Sequence, residues 1–330
     1  MAISLRDYNL ELDDFCYEAE HIEKVYEEIK KNINGYFEKY VSSRGGVIIS
    51  NESIEALRAK MDVNSNIKFT IDKSKLEKNL EAIKAAALKE FNKDIEEYDE
   101  LFDLATLEEY EEDPAGFKND LKKECSIIRK TLNSSDESLK QFKIKFNVCN
   151  ANKLLKVMTN IASYVSDYPE KWDGYDYEAE YTIENLIEDD LLEQSILDTE
   201  GYGLDGVIGG GIKSYVAYKL LPEYFPHRSR EAIWALWYLT NKKDFGYEQD
   251  SEFLMILTDK VVTHQNFYYP YQLFGIYSYL IYRLLLEKYK ELNVFFPEKH
   301  RYVMTNDFLK FVAKCHEAEI SELTRNIREE

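Results

Sequence analysis

The chain has 330 residues, enough for one large domain or two ordinary ones, and its 45% hydrophobic and 14% aromatic content excludes wholesale disorder. A net charge of −20 excludes a chain that coats DNA or an anionic membrane by bulk electrostatics. The four cysteines, Cys16, Cys125, Cys149 and Cys315, show no Cys-x-x-Cys spacing, which favours reduced thiols over a disulfide frame or a zinc site.

Residues 14 to 41 carry the clearest periodicity. Phe15, Ala19, Ile22, Tyr26, Ile29, Ile33, Tyr36 and Tyr40 recur in steps of four and three, which predicts one apolar stripe on a long helix. Charged residues fill the other faces, His21 among them, and Arg44-Gly45-Gly46 closes the pattern. Val47–Ser50 and Ile67–Ile71 read as two short strands around a helical patch at Ser53–Met61. Ser74 and Glu77 have capping-box spacing ahead of a second long helix. Its stripe is Leu76, Leu80, Ile83, Ala87, Phe91, Ile95, Tyr98 and Phe102, and it runs toward Pro114. Two such seams predict an antiparallel hairpin within one chain or a dimeric coiled coil, the second of which would make a homo-oligomer through the N-terminal helices.

Phe117–Leu132 reads as a shorter helix, and Lys140–Val148 alternates polar and apolar like a strand. Asn150–Val165 is helical, with Leu154, Leu155, Met158, Ile161 and Val165 inward. Tyr168-Pro169 breaks the pattern, and the acidic segment Asp176–Glu200 follows. Beyond the glycine-rich stretch, Ser251–Gln265, Tyr271–Leu292 and Thr305–Ile320 read as helices, the last with Thr305 as N-cap and Cys315 inward. The expected fold is therefore mainly α. An N-terminal long-helix hairpin with a small β element spans 1–167, an acidic connector 168–200, and a compact helical domain 201–330. The N-terminus has no signal-peptide pattern, and the apolar run Leu273–Leu286 is too short for a bilayer and contains Arg283. A cytoplasmic protein with no membrane partner is expected.

The stretch Gly201–Thr240 holds six of the thirteen glycines, two of the six prolines and two of the three tryptophans. It reads as a glycine turn, a helix, a corner bearing His227, Arg228 and Arg230, and a second helix. Acids and bases balance from Asp205 to His316, whereas the excess acid lies upstream, chiefly in Asp94–Asp113 and Asp176–Glu200. A nucleic-acid contact is therefore expected in the C-terminal part if anywhere. Gly209, Gly210 and Gly211 followed by Lys213 resemble the hairpin of helix-hairpin-helix DNA-binding proteins, in which backbone N–H groups at a helix start meet a phosphate. The resemblance spans about residues 201–240. It implies phosphate contact through Gly209, Gly210, Gly211, Lys213, His227, Arg228 and Arg230. It gives no support to base excision, because Arg228, Ser229 and Arg230 stand where the glycosylase relatives carry an aspartate. A nucleotide-hydrolysing phosphate loop is not matched, since Ile212 occupies the place of its last glycine. The alternative is architectural: the glycines seat a helix and the arginines pair with acids.

Asp250, Glu252 and His264 offer a donor set for a divalent metal in a nuclease, set against a capping role for Asp250 and Ser251 at a helix start. The aromatic run Phe267–Tyr271 reads as core. The acid runs Glu108-Glu109, Glu111–Asp113 and Glu188–Asp190 read as solvated faces, or as a surface that mimics DNA and occupies a nucleic-acid-binding partner. No motif calls for a cofactor or a resident metal. The leading expectation is a non-catalytic binding protein whose partner is a nucleic-acid backbone or a protein. A metal-dependent nuclease and an acidic interaction protein of phage or bacterial defence type are the alternatives.

Overall fold

The computed structural model describes residues 12, 14–43, 73–135, 139–171, 182–188, 193–246, 251–253, 256–257, 262–263 and 269–326. The protein is mainly α-helical. A 3-10 turn at Asp14–Tyr17 leads into α1 (Ala19–Ser42), whose buried face includes Ile22, Val25, Ile29, Ile33, Phe37 and Tyr40. Removing one such aliphatic side chain from water contributes about 1.5–3 kcal/mol. The face is wider than the predicted stripe: Tyr26 and Tyr36 sit at its margin, while His21 and Glu28, expected on the charged side, are buried.

The second stripe keeps its register but not its continuity. It folds as α2 (Lys73–Phe91), a 3-10 turn at Asn92–Asp94, and α3 (Ile95–Leu101), followed by α4 (Leu104–Glu109). The break has a physical cause. Lys219 inserts there, its ammonium bonding the Phe91 carbonyl and the Asp94 carboxylate, the latter at 2.6 Å. Ser74 is the second residue of α2. The strand expectations at 47–50 and 67–71 and the helical patch at 53–61 lie outside the described residues.

Asp103 caps α4 by accepting from the Thr106 amide at 3.0 Å. Asp113 does the same for the Gly116 amide at 3.0 Å, starting α5 (Pro114–Glu124) with Pro114 in the first turn. The single helix expected over 117–132 is divided, because Cys125 is extended between α5 and α6 (Ser126–Asn133). The strand expected at 140–148 is instead α7 (Lys140–Val148). Its alternation misled because Phe142 and Phe146 are four apart, with ring centroids at 5.8 Å, whereas Ile144 and Val148 face outward, Val148 being 79% exposed. Helix α8 (Ala151–Lys171) buries all five residues predicted inward and continues through Tyr168-Pro169.

The acidic segment contains α9 (Ile183–Glu188) and 3-10 turns at Gln194–Asp198 and Glu200–Tyr202. The glycine stretch folds in the predicted order: a turn, α10 (Gly210–Leu220), a corner, and α11 (Arg230–Leu239), capped by Ser229 through the Ala232 amide at 3.1 Å. The helix expected over 251–265 is absent from its described part. Residues 251–253 form a buried turn, and β1 (Ile256–Leu257) pairs antiparallel with β2 (Val262–Thr263). Helix α12 (Tyr271–Glu291) is buried on nearly all sides through Tyr282 and on one face beyond it. The last pattern divides into α13 (Arg301–Lys314) and α14 (Glu317–Asn326). Thr305 is internal to α13, its hydroxyl bonding the Arg301 carbonyl at 3.0 Å, and Cys315 is exposed rather than inward.

One hydrophobic core runs from Leu12 to Ala313, with no interruption at residue 168. The N-terminal seam is covered from within the chain. Helix α1 packs on α2 and also on α11, α12 and α13. Polar contacts fix it there: Asn32 donates to the Leu239 carbonyl at 2.9 Å, and Tyr40 donates to Asp307 at 2.6 Å. Helices α8 and α3 likewise pack on α10. Residues of 1–167 and of 201–330 thus contribute to one shared core.

Candidate functional site

The glycine corner does assemble the predicted residues, but it turns them inward. Arg228 is 2% exposed and lies across the start of α10, so close to Gly210 that a Cβ there would stand 1.1 Å from a guanidinium nitrogen. Its backbone N–H donates to the Ser214 hydroxyl at 3.1 Å. Lys213 is buried too, bonded to the Leu197 carbonyl and to Asp198 at 3.3 Å. Asp198 also accepts the Tyr271 amide at 2.5 Å, and its charge opposes the burial that lowers the Arg228 and Lys213 pKa values. His227 is buried between Tyr215 and Tyr218, and burial holds its pKa well below the ordinary value. Arg230 begins α11 and is half-buried. Gly209 and Gly211 flank this packing. The absence of a side chain at Gly210 thus admits the chain's own guanidinium at the place where the helix-hairpin-helix resemblance puts a phosphate.

Of the proposed nuclease set, Asp250 and His264 lie outside the described residues. Glu252 is 0% exposed, and its partner is His21, with the Nε2–Oε2 distance 2.5 Å. Cys16 is buried beside them. Tyr269 donates to the second carboxylate oxygen of Glu252 at 3.3 Å. The expected N-cap role of Ser251 is replaced by a short turn in which the Phe253 amide donates to the Ser251 hydroxyl at 3.3 Å.

The acid-rich segment presents the opposite arrangement. Between Asp94 and Asp113 the chain carries eleven carboxylates and no base. Asp94 is used internally by Lys219. The other ten, from Glu96 to Asp113, are exposed on α3, α4 and the approach to α5. None of them lies within ion-pair distance of a base among the described residues. Two open grooves border this face. One, of about 490 Å³, is lined by Glu111 with Asn152, Lys156, Thr159 and Asn160; the other, of about 590 Å³, by Ala105, Glu108, Glu109 and Glu112.

No family model matches this chain, and neither a curated protein nor a solved structure is significantly similar to it. Among the described residues no helix is long and apolar enough to cross a membrane.

Sequence reasoning missed Asp198, His21 and Cys16 as site residues. Asp198 had no signal separating it from the other acids around it. Cys16 and His21 stand five apart near a helix start, which is half a donor set. The other half, Glu252, is 231 residues from His21, beyond the reach of any spacing rule.

Proposed function

We propose that this chain is a non-catalytic binding protein whose partner is a basic protein surface, engaged by the acid-rich face of α3, α4 and the start of α5. The observation that carries this reading is the contrast in exposure. Ten carboxylates in one segment stand in solvent with no ion pair to a base among the described residues, whereas the cations that a nucleic-acid backbone would require at the glycine corner, Lys213 and Arg228, are buried and packed against Leu197, Asp198 and Gly210. Unneutralised surface charge of one sign destabilises a chain slightly and steers an oppositely charged partner onto it.

The test uses the full chain and a lysine- and arginine-rich peptide as probe, with duplex DNA and RNA in parallel arms. One variant neutralises Glu96, Glu97, Glu100, Glu108, Glu109 and Glu112 to Gln. A control removes the same charge elsewhere, at Glu23, Glu38, Asp167, Glu170, Glu298 and Glu322, all exposed. Peptide binding is expected to fall at least about tenfold in the first variant, to persist in the control, and to weaken steeply with salt. Equal loss in both variants would reduce the effect to net charge and reject the surface. Binding of nucleic acid that is lost in Arg230→Ala would restore the glycine corner as the site.

A further inference from the structure

Outside the acidic face and the glycine corner, the described residues contain one grouping of side chains of metal-ligating type. Cys16 comes from the 3-10 turn at Asp14–Tyr17, His21 is the third residue of α1, and Glu252 comes from the 251–253 turn. Their Sγ, imidazole nitrogen and carboxylate oxygen all lie within 4.8 Å of one another, and all three residues are buried. We propose that Cys16, His21 and Glu252 are the protein ligands of a structural zinc site that ties the N-terminal turn to the 251–253 turn.

The donor chemistry fits. Thiolate, imidazole and carboxylate are the three ligand types that Zn²⁺ accepts, at roughly 2.0–2.3 Å, so donors around a tetrahedral ion stand roughly 3.3–3.8 Å apart. The present spread of up to 4.8 Å, with His21 and Glu252 at 2.5 Å, needs only side-chain adjustment to reach that spacing. The charge also closes: Zn²⁺, one thiolate and one carboxylate sum to zero, which suits a dry interior where an unbalanced charge is costly.

Two tyrosines supply the surroundings. Tyr269 holds the Glu252 oxygen that His21 leaves, at 3.3 Å, as outer partners of a metal-bound carboxylate do. The Tyr277 hydroxyl is buried and makes no hydrogen bond among the described residues. The Tyr277 ring packs against Phe253, the neighbour of Glu252, with centroids at 5.5 Å. The hydroxyl supplies a polar group for the fourth coordination position or for a water bound there. His21 is walled by the edges of Phe15 and Phe245, at 4.9 and 6.2 Å between ring centroids. Full enclosure argues for a structural ion, because a hydrolytic one keeps a position open to substrate.

The rival is a His21–Glu252 hydrogen bond with Cys16 merely packed against it. The full chain, stripped with a chelator and checked for helicity by circular dichroism, would be titrated with Zn²⁺ in excess Mg²⁺ to occupy exposed carboxylates. One Zn²⁺ per chain and a raised Tm are expected. With Co²⁺ in its place, a thiolate-to-metal charge-transfer band and intense tetrahedral visible bands are expected. Cys16→Ser, His21→Gln and Glu252→Gln should each weaken binding at least about tenfold, whereas Cys149→Ser and Cys315→Ser should not. A folded chain that takes up no Zn²⁺ at micromolar concentration would overturn the site. So would a Co²⁺ complex of the unaltered chain without a thiolate band, which decides the matter even if the ligand variants fail to fold. Retention in Cys16→Ser with loss in Cys149→Ser or Cys315→Ser would place the ion elsewhere and reject it.

Discussion

Arg228 lies on the bare backbone of Gly210, where even one added carbon would meet its guanidinium at 1.1 Å. The arginine is buried, with Asp198 the charge that most favours its ionised form and Nε without a hydrogen-bond partner among the described residues. A glycine that reads in sequence as an approach point for an outside anion is thereby occupied from within.

Gly210→Ala is accordingly expected to destabilise the chain by about 1–3 kcal/mol, the usual cost of forcing extra volume into a filled site. The effect should not add to that of Arg228→Ala. With the guanidinium gone, alanine at 210 should cost less than about 1 kcal/mol. Urea unfolding of the two single variants and the double variant measures the coupling; full additivity would mean that the two residues do not share this space.

Lys219 is the second buried cation with a defined task. It holds the Phe91 carbonyl and Asp94 at the break between α2 and α3, and it stands over the rings of Phe91 and Tyr98 at 4.4 and 5.5 Å. Lys219→Met should cost about 3–5 kcal/mol by leaving the Asp94 charge unpaired in a partly buried place. Adding Asp94→Asn should recover part of that loss. A denaturation midpoint for Lys219→Met equal to that of the parent chain would contradict the assignment.

Stability should fall on mild acidification. Burial depresses the His227 pKa, with Lys310 and Arg228 adding to the effect, so the folded chain leaves the imidazole neutral where the unfolded chain protonates it. The contribution is therefore complete above about pH 6.5 and is lost below it, at about 1.4 kcal/mol per pH unit while only the unfolded form carries the proton. His300 and His316 are lowered by burial in the same direction, so some slope remains without His227. Urea midpoints at pH 7.5, 6.5 and 5.5 should show a shallower fall for His227→Gln than for the parent; identical slopes would exclude His227 as a source.

The acidic face should behave in the opposite way under substitution. Glu108→Lys and Glu112→Lys alter exposed residues with no ion pair to lose, and they relieve like-charge repulsion. Each is expected to change stability by less than about 0.5 kcal/mol and, at low salt, in the stabilising direction. Thermal unfolding at two ionic strengths checks this, and a loss above about 1 kcal/mol would show that these carboxylates support the fold.

Much of the helical framework was legible because its determinants are local. The Ile22, Ile29, Ile33 and Tyr40 stripe, the inward row of α8 and the order of turn, helix, corner and helix across 201–240 all follow from periodicity and from what glycine and proline permit. Where a local pattern admitted two answers, only packing chose. Phe142 and Phe146 satisfy a strand's alternation and a helix's four-residue step alike, and their shared contact with the core selected the helix.

The site residues were legible as types and not as partners. Sequence alone marked Lys213, Arg228 and Glu252 as unusual, and it located the excess acid. Whether a charge faces solvent depends on what the rest of the chain lays against it. Asp198 lies 30 positions from Arg228, Lys219 breaks a helix 128 residues upstream, and His21 meets Glu252 across 231 residues. No spacing rule spans such separations. Local sequence therefore determined most of the helices and the distribution of charge along the chain. The tertiary structure alone decided which charges were withdrawn into the core and which were left in water, because that depends on burial by surfaces brought together from distant parts of the chain.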